Sequence, residues 1–489
     1  MTAEEIRKSK MNNEQLGDAE VAETFKMVAN FKRAIEILQL IPGAKDELYK
    51  DGEAFKEKYN IKSVDLIGVK QLSNEDEFTY ISSLSEEEAL EKVAYQAFRY
   101  RQFCMNKLAM RDKLFQIYNV PKNTKMKKWR QRQIERTKGF CGAGYSANVQ
   151  IPVSYELTDG CSVGCPFCGI GAEKLKKIFT YDGENIELFK NVLSVMHGIL
   201  GDAAGRGAMY LSCEPLDNRD YEKFLADYLN EFNMLPQITT AVPLRDIDRM
   251  HKLLKQLNES KGTFYRFSVK SVQEAKDILE NFSPDELLKV ELLPQFEEAP
   301  GFQGFAKTGR ERVREELLNA SNPEKKVIPS ICCLSGFVIN FARKDIRLIT
   351  PYPANEKYPE GEVTLFKTQF TDADDLELKI LSMIDDFMVS VLPSDKVLKP
   401  YDYFTIQDNI ENVEGGAIIS EVGYVRPLKG PFKGFRDVVE LLFEGKYTKK
   451  EIAEILYRLK GIDIVETYFC LSTLFKNGII DEFSWLNQD

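Results

Sequence analysis

Histidine is nearly missing from this chain: among 489 residues there are only two, His197 and His251, at unrelated positions. That scarcity argues against acid–base chemistry built on imidazole and against a mixed Cys/His zinc site. Long apolar runs are also missing, and none approaches the stretch of about 20 residues that a bilayer crossing needs. The opening, MTAEEIRKSKMNNEQLGD, is polar and lacks the apolar core of a signal peptide. The chain is therefore expected in the cytoplasm, without a membrane partner. Positive charge is outweighed, 66 Lys and Arg against 76 Asp and Glu, so bulk attraction to nucleic acid is not expected. Nine cysteines is an odd count and does not suit a disulfide framework in a reducing compartment.

What is present is ordinary for a folded protein, with 43% apolar and 29% charged residues, and the length suits about three domains. Residues 1–118 read as a helical region. VAETFKMVANFKRAIEILQLI repeats apolar positions every three to four residues and stops near Pro42-Gly43, and a second run starts at a Ser85-x-x-Glu88 capping box. Residues 119–149 read as a basic linker: Pro121 to Lys138 holds eight Lys or Arg against one Glu. It is expected to be a solvated face or, failing that, a contact for an acidic peptide.

From 150 to 350, short apolar runs alternate with helical stretches. The candidate strands are VQIPVSYEL, AMYLSCE, QITTAV, FYRFSV, KVELLPQF and VIPSICC. Such alternation predicts an α/β fold, a (β/α)6-type partial barrel with chemistry at the C-terminal strand ends. Residues 351–416 are expected to complete or connect the barrel. Residues 417–489, a strand-rich piece followed by three helical segments, read as a small winged-helix-like domain with a Thr448-x-x-Glu451 capping box.

The chemistry concentrates in Thr158-Asp159-Gly160-Cys161-Ser162-Val163-Gly164-Cys165-Pro166-Phe167-Cys168, directly after the first strand. Three thiolates on one tight loop can each ligate one iron of a four-iron, four-sulfur (4Fe-4S) cluster and leave the fourth iron open. A structural zinc site would want four ligands, and no fourth Cys or His follows at suitable spacing.

These residues resemble the radical S-adenosylmethionine (radical SAM) superfamily over roughly 150–350. The resemblance implies one 4Fe-4S cluster on Cys161, Cys165 and Cys168, with SAM on the open iron. It implies that Phe167 packs near the adenine and that Glu214, in Leu211-Ser212-Cys213-Glu214-Pro215, receives the SAM amino group. Ser212 and Cys213 stand where that family has two glycines. Arg266, Ser268 and Lys270 match positions that touch the SAM carboxylate and ribose, and Gln295 is a further candidate for the ribose. The implied chemistry is reductive cleavage of SAM to a 5′-deoxyadenosyl radical, which takes a hydrogen atom from an unactivated C–H bond.

The other cysteines, Cys104, Cys141, Cys213, Cys332, Cys333 and Cys470, form no second cluster motif. Cys332 and Cys333 end the predicted sixth strand, where barrel residues face the active site. GYSANVQIPVSYELTDGCSVGCPFCGIGAEKL, SCEPLDN and PSICCLSGFVINFARKDIRLITPYP resemble the radical SAM peptide epimerases, which act on ribosomally made precursor peptides. That narrower resemblance implies Cα hydrogen abstraction on one face and hydrogen return from a cysteine thiol on the other, turning L- into D-residues. The donor falls on Cys332 or Cys333. Strand alternation lets only one face the cavity, with Cys333 preferred because Cys332 would then join the barrel–helix packing. The implied partners are a precursor peptide, leader plus core, and a one-electron reductant such as a flavodoxin or ferredoxin. The 417–489 domain resembles small modules that bind leaders by strand addition. Competing readings are a single-cluster peptide crosslinking enzyme, a glycyl-radical activase and a zinc-binding adaptor.

Overall fold

The computed structural model describes residues 18–61, 63–141, 151–260, 265–313, 327–328, 330–407, 417–420, 425–426 and 434–486. In chain order the strands are β1 (Ile151–Glu156), β2 (Thr158–Asp159), β3 (Lys177–Ile178), β4 (Thr239–Thr240), β5 (Tyr265–Val269), β6 (Val290–Pro294) and β7 (Phe305–Ala306). They continue with β8 (Val327–Ile328), β9 (Leu334–Asn340), β10 (Asp345–Pro351), β11 (Glu362–Gln369), β12 (Phe404–Gln407), β13 (Ala417–Ser420) and β14 (Val425–Arg426). Among the described residues, no helix is long and apolar enough to cross a membrane.

The chain divides into two compact units, and neither is one continuous stretch of sequence. The first joins residues up to Leu114 with Gln237–Gly304. Its opening helix, Asp18–Leu40, stops just before Pro42-Gly43 as the sequence predicts. Shorter helices follow with their first-turn amides satisfied by Asp51, Asp65, Asn74 and the Ser85–Glu88 capping box. The helical run from Ser85 is two helices, Glu86–Lys92 and Tyr95–Tyr118. The same unit holds the parallel sheet β4–β5–β6. Two cations of the opening helix tie it to that part: Arg33 donates to the carbonyls of Leu279 and Phe282 (both 2.6 Å), and Lys32 donates to Leu287 O (3.0 Å). The Arg33 pair falls at the end of the helix Val272–Asn281, where carbonyls lack helical partners.

The second unit comprises Phe115–Pro236 and Phe305–Asp489. Its main sheet has the order β1–β9–β10–β11, with β1 and β9 parallel and the other pairs antiparallel. The basic run is not a linker in this fold. It forms the helix Thr124–Cys141, in which Trp129, Arg130, Arg132, Gln133 and Arg136 are buried. Its arginines cap carbonyls and meet rings instead of solvent. Arg130 donates to Ser335 O (3.0 Å) and Asn119 O (2.7 Å), and burial depresses it to about 9. Arg136 donates to Tyr403 Oη (3.1 Å) and lies 5.1–5.7 Å from the ring centres of Phe140, Tyr352, Tyr401 and Phe483. The sequence shows eight cations here but not the carbonyls and rings that meet them.

The C-terminal helices are Phe435–Glu444, Lys449–Lys460 (opened by the Thr448–Glu451 capping box) and Ile464–Lys476. They do not keep a core of their own. Val438, Leu442, Leu456, Leu474 and Phe483 share one apolar cluster with Phe140, Tyr352 and Tyr401.

The expected six-strand barrel is not one continuous ladder among the described residues. AMYLSCE forms a single bridge, Ala208 to Ser154, and QITTAV contributes only β4. Part of the reason is local. Ser154 Oγ donates to Tyr210 O at 2.7 Å, so a side chain takes an acceptor that a regular ladder would give to an amide.

Candidate functional site

In the second unit, β1 ends at Glu156 and the chain enters the antiparallel pair β2–β3, which closes the loop carrying the three cysteines. Gly160 makes the turn possible: its φ is +86°, and a Cβ there would lie 2.3 Å from Lys174 O. Backbone bonds then fix the loop: Cys161 N to Glu173 O (2.9 Å), Leu175 N to Cys161 O (3.1 Å) and Gly171 N to Cys168 O (3.1 Å). Cys165 is buried, while Cys161 and Cys168 are half-buried, as is Phe167. The Val163 amide donates to Cys161 Sγ at 3.4 Å. Burial pushes the Cys161 thiol above its ordinary range and the nearby Asp217 carboxylate adds to the rise, while the Val163 and Gly164 amides oppose it. Among the described residues, no three His, Cys, Asp or Glu side chains converge on a point that would hold a single metal ion.

Two carboxylates that sequence reasoning passed over organise this site. Asp217 accepts from Ser162 N (2.8 Å) and Ser162 Oγ (2.5 Å), tying the SCEPLDN turn to the cysteine loop. Glu156 is fully buried; its Oε1 accepts from Ser212 N (2.7 Å) and Ser212 Oγ (2.6 Å), and its Oε2 accepts from Asn340 Nδ2 (3.0 Å). The signal for Glu156 was available, since an acid inside the apolar strand VQIPVSYEL needs a partner. Glu214 is also buried, and its Oε1 caps the following turn by accepting from Leu216 N (3.1 Å).

The third passed-over residue is Arg310. Its backbone N–H donates to Cys168 O (2.9 Å), its Nε to Cys165 O (2.8 Å) and its Nη1 to Ala172 O (2.6 Å). Nothing in the local sequence marks it.

Cys332 and Cys333 do not end a strand. Among the described residues of VIPSICC, Val327–Ile328 form β8; the two cysteines directly precede β9, and Cys333 O accepts from Ile151 N at the start of β1. Ser330 turns the chain, donating through Oγ to Gly361 O (2.7 Å) and accepting from Cys332 N (3.2 Å). The argument from a C-terminal strand end therefore fails for this pair. A different contact brings it toward the cysteine loop: a Cβ on Gly169 would lie 2.2 Å from Ile331 Cδ1, so Cys168–Gly169 packs on the residue before Cys332. Cys332 is fully buried in a small cluster with Ile151, Ala208, Leu334, Val338 and Ile349, and Cys333 is half-buried. Burial pushes the Cys332 thiol well above its usual range, and the neighbouring Glu362 carboxyl adds to the rise.

In the first unit, Arg266 and Ser268 lie on one face of β5, with Lys270 just beyond its end and Gln295 just beyond β6. The side chains of Arg266 and Lys270 have partners within that unit. Arg266 Nε donates to Glu291 Oε2 (2.8 Å), its register partner on β6, and Lys107 pairs with the same carboxylate. Burial acts to raise Glu291, but Arg266 and Lys107 overcome it and hold the carboxyl at about 2. Lys270 Nζ donates to Ala241 O (2.5 Å) and pairs with Glu274 (2.9 Å); Gln295 N donates to Val269 O (2.8 Å). Cys161, Cys165, Cys168, Phe167, Ser212, Glu214, Cys332 and Cys333 belong to the second unit and the other four candidates to the first.

No protein-family model matches the chain. The solved structure of BtrN in complex with AdoMet and 2-DOIA is similar over 48% of this chain and 82% of its own, at 14% identity and a TM-score of 0.30, a level that fixes neither fold nor ligand here. The uncharacterized protein y4wI of Sinorhizobium fredii (strain NBRC 101917 / NGR234) is 31% identical over 380 residues, covering 75% of this chain and 72% of that protein. At that identity and coverage, the chain belongs to the family of y4wI.

Proposed function

We propose that this chain is a radical SAM enzyme and, within that class, a peptide epimerase that inverts L-residues of a ribosomally made precursor peptide. The observation that carries the reading is the Cys-x3-Cys-x2-Cys loop, closed by β2–β3 and held through its backbone, with none of its three cysteines in a disulfide. The donor set fits a cubane: each thiolate takes a separate iron, and an amide donor at Cys161 Sγ suits a ligating thiolate. Cys161, Cys165 and Cys168 would hold one 4Fe-4S cluster. When bound with SAM, that cluster supplies a 5′-deoxyadenosyl radical able to take a Cα hydrogen.

The chain's own part is orientation and hydrogen return. Asp217 and Glu156 fix the Ser212–Glu214 turn beside the loop, with Glu214 as the proposed acceptor for the SAM amino group. Cys333, half-buried beside a fully buried Cys332, is the proposed hydrogen-atom donor. Arg266, Ser268, Lys270 and Gln295 are proposed for the SAM carboxylate and ribose, and Phe167 for the adenine. The leader is proposed to add a strand to the three-stranded sheet β12–β13–β14, and a flavodoxin or ferredoxin to deliver electrons.

Anaerobic iron and sulfide assay, then turnover in deuterium oxide with a precursor peptide, tests this in two steps. The expected results are on the order of four irons per chain and about one mass unit gained per converted residue, as hydrogen return from an exchangeable thiol requires. A product lighter by two hydrogens would replace epimerisation with crosslinking. A colourless protein loaded with zinc would sink the whole reading.

A further inference from the structure

We infer that Arg310 is a positioning residue for the cysteine loop, and that its guanidinium sets both the loop's shape and the charge felt by whatever the thiols hold. The inference rests on the radical SAM reading and deepens it. Three hydrogen bonds run from this one residue to the loop, and all end on backbone carbonyls, those of Cys165, Cys168 and Ala172. Two of these carbonyls belong to cysteines of the triad. The guanidinium spans Cys165 O and Ala172 O, so it fixes the separation of two points seven residues apart in the chain. A planar fork with donors in fixed directions can do this; a single ammonium cannot hold both in the same geometry.

The approach is close enough to demand glycine beside it. Gly309 has φ +52°, and a Cβ there would lie 2.5 Å from Cys168 O and 2.6 Å from Gly171 N. The Thr308-Gly309-Arg310 segment therefore meets the loop backbone to backbone. On another side of the loop, Glu360 packs on Gly171, where a Cβ would lie 3.2 Å from its Oε2. Arg312 and Arg310 both act on the Glu360 carboxyl, and Glu362 opposes them, so the local field is a mixture of two cations and two acids. Reduction adds negative charge to a cluster, and a cation fixed nearby favours the reduced form.

The test uses the full chain, reconstituted anaerobically with iron and sulfide, as wild type, Arg310→Gln and Arg310→Lys. Two readouts besides turnover are followed: the midpoint potential by redox titration and the rate of iron loss to a chelator. Arg310→Gln is expected to shift the potential to more negative values and to weaken cluster retention about 10- to 100-fold, the usual effect of removing a supporting partner of a metal ligand. Arg310→Lys keeps the charge but not the fork, so its potential should stay near that of wild type while iron loss still accelerates. If the glutamine variant does not fold, the lysine variant decides. Wild-type iron retention in whichever variant folds overturns the inference, as does an unchanged potential in Arg310→Gln. A wild-type chain that takes up no cluster removes the radical SAM reading and this inference together, an outcome distinct from a stable cluster indifferent to Arg310.

Discussion

The two units carry their candidate cofactor residues in opposite ways. In the second unit, the cysteine loop is held mainly by backbone bonds, by Asp217 on Ser162 and by Arg310 on loop carbonyls, and its thiols form no disulfide. In the first, the charged side chains themselves are spent: Arg266 and Lys107 share Glu291, and Lys270 is held by Glu274 and Ala241 O. A site whose scaffold is backbone can receive a ligand with little rearrangement. A site whose side chains are already paired must exchange partners first, and breaking a half-buried ion pair exposes each charge to a desolvation cost.

That contrast can be broken in a graded series. Cys161→Ala, Cys165→Ala or Cys168→Ala should each abolish iron uptake and turnover, and full iron content in any of them would remove the loop from the site. Cys333→Ala should keep the iron but lose all deuterium incorporation, read by mass spectrometry of the peptide. Glu156→Ala should cost about 3–4 kcal/mol, because Ser212 and Asn340 are left with buried donors unsatisfied; thermal unfolding measures it.

The first unit supplies the next effect. Glu291 titrates at about 2 in the fold, below its ordinary value of 4.5. Its stabilisation is therefore complete above about pH 4.5 and is lost as pH falls toward 2, at most about 3 kcal/mol. Unfolding measured over that window should be flatter in Glu291→Gln than in wild type. Cys332→Ala should do least, about 1 kcal/mol from a small cavity, with deuterium incorporation intact; loss of labelling there would transfer the donor role from Cys333.

Much of the local structure was legible. The break before Pro42-Gly43, the capping boxes at Ser85 and Thr448, and the strands β1, β5 and β6 follow from propensity, caps and apolar periodicity. The Cys161–Cys168 loop after β1 was legible because all its residues are close in sequence. The second and sixth strands form only in part among the described residues: apolar composition gives AMYLSCE and VIPSICC strand character, but the first makes one bridge while Ser154 takes the Tyr210 carbonyl, and the second gives β8 before Ser330 bonds to Gly361 O. The basic run was misread for a related reason, since a cation's solvation depends on what folds over it.

The sequence by itself determined the helices, their caps and the thiol spacing, because these depend on residues within a turn or two of one another. Only the tertiary structure decided that Gln237–Gly304 joins the N-terminal helices, that Cys332 is core, and that Arg310 braces a loop more than a hundred residues earlier. Each of those is a long-range pairing in which a buried polar or apolar group finds its partner, and no local pattern encodes which distant group that will be.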